Sequence, residues 1–175
     1  MLIGVARETW PGEVRTALVP ANATKLIKSG FSISMESGAG LEAGFSDQSF
    51  ADAGVTVVGS RAEVLAAADI FLAVRKPDTD EVAQLKSGAI SVSFLDPYNE
   101  KALIEALAAK GVTSISMEMV PRSTRAQKMD ALSSQANLAG YVTVVQAAYH
   151  SPKIMPMMMT PAGTIAPARV CLLYT

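Results

Sequence analysis

The stretch "MVPRSTRAQKMD", residues 119–130, gathers hydrogen-bonding side chains into one short loop. Arg122 and Arg125 bring guanidinium donors, Gln127 brings both a donor and an acceptor, and Asp130 brings a carboxylate. No nucleophile with a base, no general acid pair and no metal-ligand spacing accompanies them. A loop of this kind suits holding and orienting a polar ligand better than making or breaking bonds with its own side chains. Asp130 also has a structural duty open to it, because it opens a long helical pattern that it can cap, with Ser133 facing the first turn. Arg122 and Gln127 have no such duty.

Other residues with chemical potential have plainer explanations. Arg15 follows the first apolar run, and Arg75 and Lys76 end "FLAVRKP"; strand ends of open α/β sheets bind ligands, yet solvated charges explain these three as well and are the preferred reading. His150, the only histidine, lies near a helix C-terminus, where the dipole favours it, and no acid stands close in sequence. Met155, Met157, Met158 and Met159 read as gap-filling packing. In "SGAGLEAG" the glycines follow G-x-G-x-x-x-G, "FSDQSFADAG" comes next in place of a long helix, and the following "VTVVG" has no acid for a ribose. That segment reads as a turn and not as a phosphate cradle. Cys171, the only cysteine, has no partner for a disulfide and no companions at zinc spacing, so no metal site is expected.

The elements that must position the loop alternate along the chain. Apolar runs at 2–6, 31–36, 55–59, 70–74, 89–95 and 112–120 are separated by helical patterns. One of these starts at Pro20 and stops at Gly30, and Ser60 with Glu63 offers a capping box for another. This rhythm predicts an α/β fold: a parallel, doubly wound flavodoxin- or Rossmann-like sheet with helices on both faces. From Asp130 to about His150 one Pro-free pattern predicts a single helix about 30 Å long at 1.5 Å per residue, long for a crossover and suited to linking two bodies. "SPKIMPMMMTPAGTIAPARV" then reads as Pro-broken and irregular. Domains over 1–129 and 130–175 are therefore expected.

Composition narrows the partners. The chain has 175 residues, 50% of them hydrophobic and 18% charged, enough for a real core. A net charge of -1 and a pI near 5.8 give no electrostatic footprint for nucleic acid or an anionic membrane. No run approaches the roughly 20 apolar residues of a membrane span, and a reducing cytosol fits the lone cysteine best.

At the loop, the sequence resembles the family that unites alanine dehydrogenase with the NAD-binding alpha component of proton-translocating NAD(P) transhydrogenase. The likeness runs through "IGVARETWPGEVRTALVP", "GAGLEAGFSDQSFADAGV", "MVPRSTRAQKMDALSSQANLAGY" and "PMMMTPAGTIAPARV", residues 1 to 170. It implies that Arg122, Gln127 and Asp130 form a set over a dihydronicotinamide ring, with Ser123, Thr124 and Arg125 of the same loop, then Ser133 and Tyr141, also contacting NAD(H). The implied activity is direct hydride transfer between NAD(H) and NADP(H), coupled to proton movement, with NADP(H) on a partner component. The implied partners are that NADP-binding component, a membrane component and, at full length, a second copy; the implied place is the cytoplasm, peripheral to the inner membrane.

The alanine dehydrogenase branch is the alternative. It binds pyruvate with an Arg and a Lys and uses a His; Arg15 matches the first, but Arg75 stands at the Lys position and Asp96 at the His position. Losing the proton donor disfavours a carbonyl reaction, whereas hydride passage between two nicotinamides needs only orientation. In the family "PARV" begins the first strand of a second Rossmann domain and a glycine-rich turn follows, whereas here "CLLYT" follows. The expectation is a fragment or a shifted reading frame, inactive by itself as a truncated binding module.

Overall fold

The computed structural model describes residues 1–171; the final residues of "CLLYT" lie outside them. Six short strands form one sheet: β1 Leu2–Val5, β2 Ser32–Glu36, β3 Thr56–Val58, β4 Ile70–Arg75, β5 Ile90–Phe94 and β6 Thr113–Ser116. Every pairing is parallel, in the order β3-β2-β1-β4-β5-β6. This is the order of the Rossmann sheet, the second of the two doubly wound forms expected, with its switch point between β1 and β4.

Helices α1 Pro20–Lys28, α2 Asp47–Asp52, α3 Arg61–Ala67, α4 Thr79–Gln84 and α5 Lys101–Lys110 supply the crossovers. Two apolar cores lie on opposite faces, as period-two alternation demands. Ile3, Val5, Ile33 and Met35 pack with Ala23 of α1 and Phe50 of α2, whereas Phe71 packs with Leu65 of α3, Val82 of α4 and Leu103 and Leu107 of α5.

Local chemistry sets the boundaries. α1 starts on a proline, α3 is capped by Ser60, whose Oγ accepts from the Glu63 N–H at 3.4 Å, and α4 has a complete capping box between Asp78 and Glu81. The "SGAGLEAG" segment forms a turn and a single 3-10 turn, Leu41–Ala43, closed by Gly44 at φ 85°. A Cβ on Gly40 would sit 2.4 Å from the Phe50 ring, so close packing is what this glycine serves. The expected strand over 112–120 is shorter than the apolar run: after Ser116 the chain turns through Met117–Met119, which places Glu118 where its carboxylate accepts from the Leu95 and Asp96 N–H groups.

The chain divides into two compact units, Met1–Met129 and Asp130–Thr175. The second contains α6, Ala131–His150, and an antiparallel hairpin, β7 Met158–Thr160 with β8 Gly163–Ile165. That hairpin stands where the sequence predicted irregular chain; Pro156 and Pro161 beside its strands read as breaks. "PARV" forms no strand among the described residues, because the Ala168 N–H turns back to the Ile154 and Met155 carbonyls at 3.1 and 3.3 Å and not to a sheet neighbour.

Candidate functional site

Because the sheet of the first unit is wholly parallel, the segments after β1, β4, β5 and β6 all leave its C-terminal edge. Arg15, Arg75, Asp96 and the loop at 121–129 therefore belong to one edge.

The loop is held by its backbone. The Ala126 N–H donates to the Ser123 carbonyl at 3.0 Å, the Met129 N–H donates to the Ala126 carbonyl at 2.8 Å, and Ala126 is buried to 7% exposure. This small apolar anchor leaves Arg122, Ser123, Thr124, Arg125 and Gln127 exposed around it. Gln127 opens a single 3-10 turn, Gln127–Met129. Among the described residues no ion pair engages Arg122 or Arg125. The loop thus offers two guanidinium groups, an amide and two hydroxyls in a segment six residues long.

The remaining expected residues lie in the second unit. Asp130 caps α6: its Oδ1 accepts from the Ser133 N–H at 3.0 Å and its Oδ2 from the Ser133 Oγ at 2.6 Å. Ser133 is thereby committed to Asp130 and is brought directly beside it. Tyr141 is 71% exposed on the same helix, about 12 Å further along its axis. From Leu132 to His150 every residue of α6 is exposed, including His150, whose ring meets Tyr149 edge-on at 5.0 Å.

A second cluster, at the switch point, was only partly expected. A small cleft is lined by Ala6, Glu8, Trp10, Arg61, Arg75 and Glu81, among others. Glu8 accepts from the Val74 and Arg75 N–H groups at 2.6 and 3.0 Å; burial nevertheless pushes its carboxyl above the usual range, against those two bonds. Arg15 and Arg75 are not the solvated charges expected. Glu13 joins them, taking Arg15 Nε at 2.6 Å, Arg15 Nη2 at 2.7 Å and Arg75 Nε at 2.8 Å. The Arg15 hydrogen bonds hold the Glu13 carboxyl down to about 2, although burial opposes them. The Arg75 guanidinium and the Lys76 ammonium lie 5.5 and 5.7 Å from the Trp10 ring, within cation–π range. Lys76 also pairs with Glu100 at 2.6 Å and reaches Asp96 at 4.0 Å. Asp96 itself stands at φ 53° and accepts from the Asn99 amide at 2.9 Å. The signal for this cluster was the acid–base alternation of "RETWPGEVR", in which only Arg15 was singled out.

Among the described residues, no group of three or more His, Cys, Asp or Glu side chains could hold a metal, and no helix is long and apolar enough to cross a membrane.

Comparison with known proteins bears on the family and the fold. A family model described as alanine dehydrogenase/PNT, N-terminal domain, matches residues 4–139. NAD(P) transhydrogenase subunit alpha of Cereibacter sphaeroides is 45% identical over 97% of this chain, which covers 32% of that protein. Alanine dehydrogenase of Mycobacterium tuberculosis is 33% identical over 86% of the chain and is covered to 40%. The crystal structure of transhydrogenase from Sinorhizobium meliloti superposes with a TM-score of 0.89 at 43% identity, over 96% of this chain and 50% of that one. The chain therefore spans between about a third and a half of the length of these relatives.

Proposed function

The chain belongs to the alanine dehydrogenase/PNT N-terminal domain family, and from that premise we propose that it is part of the NAD(H)-binding component of a proton-translocating transhydrogenase. The observation that carries the reading is the loop at 121–129, whose side chains are exposed while its backbone is fixed around buried Ala126. Holding a ring in place needs this combination: a rigid support, with donors and acceptors not spent on the fold.

The loop's groups fit the nicotinamide end of a dinucleotide, since Gln127 can both donate to and accept from a carboxamide and the two guanidiniums can face an anionic partner. The first unit does not offer an equally good seat for the pyrophosphate. The strand-end N–H groups of Val74 and Arg75 already serve Glu8, and that of Arg7 serves Glu36 at 2.8 Å. NAD(H), when bound, supplies the hydride chemistry. Arg122 and Gln127, with Ser123, Thr124 and Arg125, orient the ring. Asp130 fixes the start of α6 through Ser133 and keeps a carboxylate at the opening of the second unit, and Tyr141 gives the same helix an exposed phenol. NADP(H) sits on a partner component, a membrane component carries the protons, and the complete protein pairs with a second copy at the cytoplasmic side of the inner membrane.

Asp96 and Arg75 favour this reading over an amino-acid dehydrogenase. The dehydrogenase branch uses a His as its proton donor, and the group at position 96 is a half-exposed carboxyl bonded to Asn99. The test is Gln127→Ala in a completed protein, followed by single-turnover hydride transfer from NADH to an NADP analogue. A misplaced ring should slow the step on the order of a hundredfold with the fold intact. An unchanged rate refutes the reading, and strong activity with pyruvate and ammonia would assign the protein to the other branch.

A further inference from the structure

The loop at 121–129 hangs from an edge strand. β6 pairs with β5 on one side, from Thr113 opposite Ile90 to Ser116 opposite Ser93, and among the described residues it has no strand on the other. The chain leaves β6 at Ser116 and turns through Met117–Met119 before the loop begins. Inside the loop the N–H groups of Ser123, Ala126 and Met129 donate to the carbonyls of Pro121, Ser123 and Ala126 at 3.0, 3.0 and 2.8 Å. These bonds shape the loop without tying it to the sheet. Glu118 makes that tie: its Oε2 accepts from the Leu95 N–H at 3.2 Å and its Oε1 from the Asp96 N–H. One carboxylate thus spans two successive donors at the end of β5. The receiving end is itself fixed, since Leu95 is buried to 1% exposure and Asp96 stands at φ 53° with its carbonyl accepting from the Asn99 and Glu100 N–H groups at 3.0 and 3.1 Å. Burial opposes ionisation of Glu118, yet bonds from neighbouring donors, the Asp96 and Leu95 N–H groups among them, hold its carboxyl below the ordinary carboxylate range. Both bonds are therefore charge-assisted at neutral pH.

We propose that Glu118 is the positioning residue of the loop: by clamping the Leu95–Asp96 backbone it fixes the loop's root, so that Arg122 and Gln127 meet a bound ring in one orientation. The inference rests on the reading of this loop as the nicotinamide support, and Glu118 acts through the loop without touching the ring. A root held only by the ladder of an edge strand can swing, and a displacement of about 1 Å at the ring can cost on the order of a hundredfold in rate.

Trypsin reads the root directly in the 175-residue chain, because Arg122, Arg125 and Lys128 give the loop three cleavable bonds. Digestion is brief, and the rate at each site is followed by mass spectrometry, with Lys28 and Lys86, also exposed in the first unit, as internal controls. Glu118→Ala should speed cleavage in the loop at least about tenfold and leave the controls unchanged, as expected for losing charge-assisted bonds that limit its opening. Glu118→Gln, which keeps one acceptor oxygen, should give a smaller rise at the same bonds. Unchanged loop cleavage overturns the proposal, as does an equal rise at every site, which would be general loosening. If the alanine variant does not fold, the Gln variant decides by the same two criteria. In the completed protein Glu118→Gln should lower kcat for hydride transfer to an NADP analogue with the KM for NADH nearly unchanged. Where Gln127→Ala is slow, an unchanged kcat for Glu118→Gln overturns the positioning role. Where Gln127→Ala is not slow either, it is the nicotinamide reading that has failed, and the digestion still decides whether Glu118 roots the loop.

Discussion

Replacing Glu13 by Gln should remove most of the acid sensitivity that this residue gives the first unit. The carboxyl is held from its ordinary 4.5 down to about 2, principally by the Arg15 hydrogen bonds. At about 1.36 kcal/mol per pH unit that depression corresponds to about 3 kcal/mol of folding stability. A carboxyl lowered in the folded state contributes this fully above its ordinary value and loses it as pH falls through the folded value. The contribution is therefore complete above pH 5 or so and gone near pH 2. Glu8 runs the opposite way, because burial raises it; its share is present at low pH and fades as pH rises, so the parent curve alone mixes the two. The difference between parent and Glu13→Gln separates them. The assay is urea unfolding at a series of pH values between 2 and 7, followed by Trp10 fluorescence, which reports the first unit. The expected difference is about 3 kcal/mol in favour of the parent near neutrality, shrinking toward zero near pH 2. A difference that stays constant across this range would refute the reasoning, since it would place the bridge's contribution in packing and not in charge.

At the start of α6, Asp130→Asn should keep the cap and Asp130→Ala should cost about 1 kcal/mol, read as lost helicity at 222 nm on warming; equal melting of the two variants contradicts the cap. Gly40→Ala should destabilise the first unit by about 1–3 kcal/mol, because the new Cβ would meet the Phe50 ring at 2.4 Å, and an unchanged urea midpoint would count against that crowding. Ser91→Ala should be neutral or stabilising by up to about 1 kcal/mol, since the Ser91 Oγ is fully buried without a hydrogen-bond partner among the described residues; a loss of stability in the same titration would reveal a bond.

The strand and helix rhythm was legible because both signals are local. Pro20 at the first turn of α1, Ser60 before α3 and Asp130 before α6 mark helix starts in the sequence and in the structure alike. Strand order was legible only as a choice between two forms, since nothing local tells β4 to pair with β1. The short α2 and the β7–β8 hairpin escaped because the glycines before α2 and the prolines around the hairpin read as turn, whereas β3 and α4, equally short, stand inside the strand–helix rhythm. The loop at 121–129 could be singled out by composition: Arg122 and Gln127 had no structural duty to suggest, and the structure leaves both exposed. The Glu13 bridge could not, because its meaning depends on Arg75, which is distant in sequence and meets Glu13 only when β4 comes to lie beside β1.

That last pairing also sets the order in which the chain can fold as it is made. β1 lies inside the sheet, with Leu2 opposite Ser32 on one side and Ile3 opposite Ile70 on the other. Of the strands in this sheet, β1 is made before the others and waits for β4, and until Arg75 has left the ribosome one edge of β1 has no partner. Parallel pairings across such separations close slowly, because the loop entropy is spent before the contacts are gained. During that interval the nascent β3-β2-β1 sheet presents an unpaired edge beside Phe71's empty place in the core, the kind of edge on which other chains add strands. Translational pausing after β3 has emerged and before β4 has should accordingly be the period of greatest aggregation risk, and slow codons that prolong it would carry a cost that the finished structure conceals.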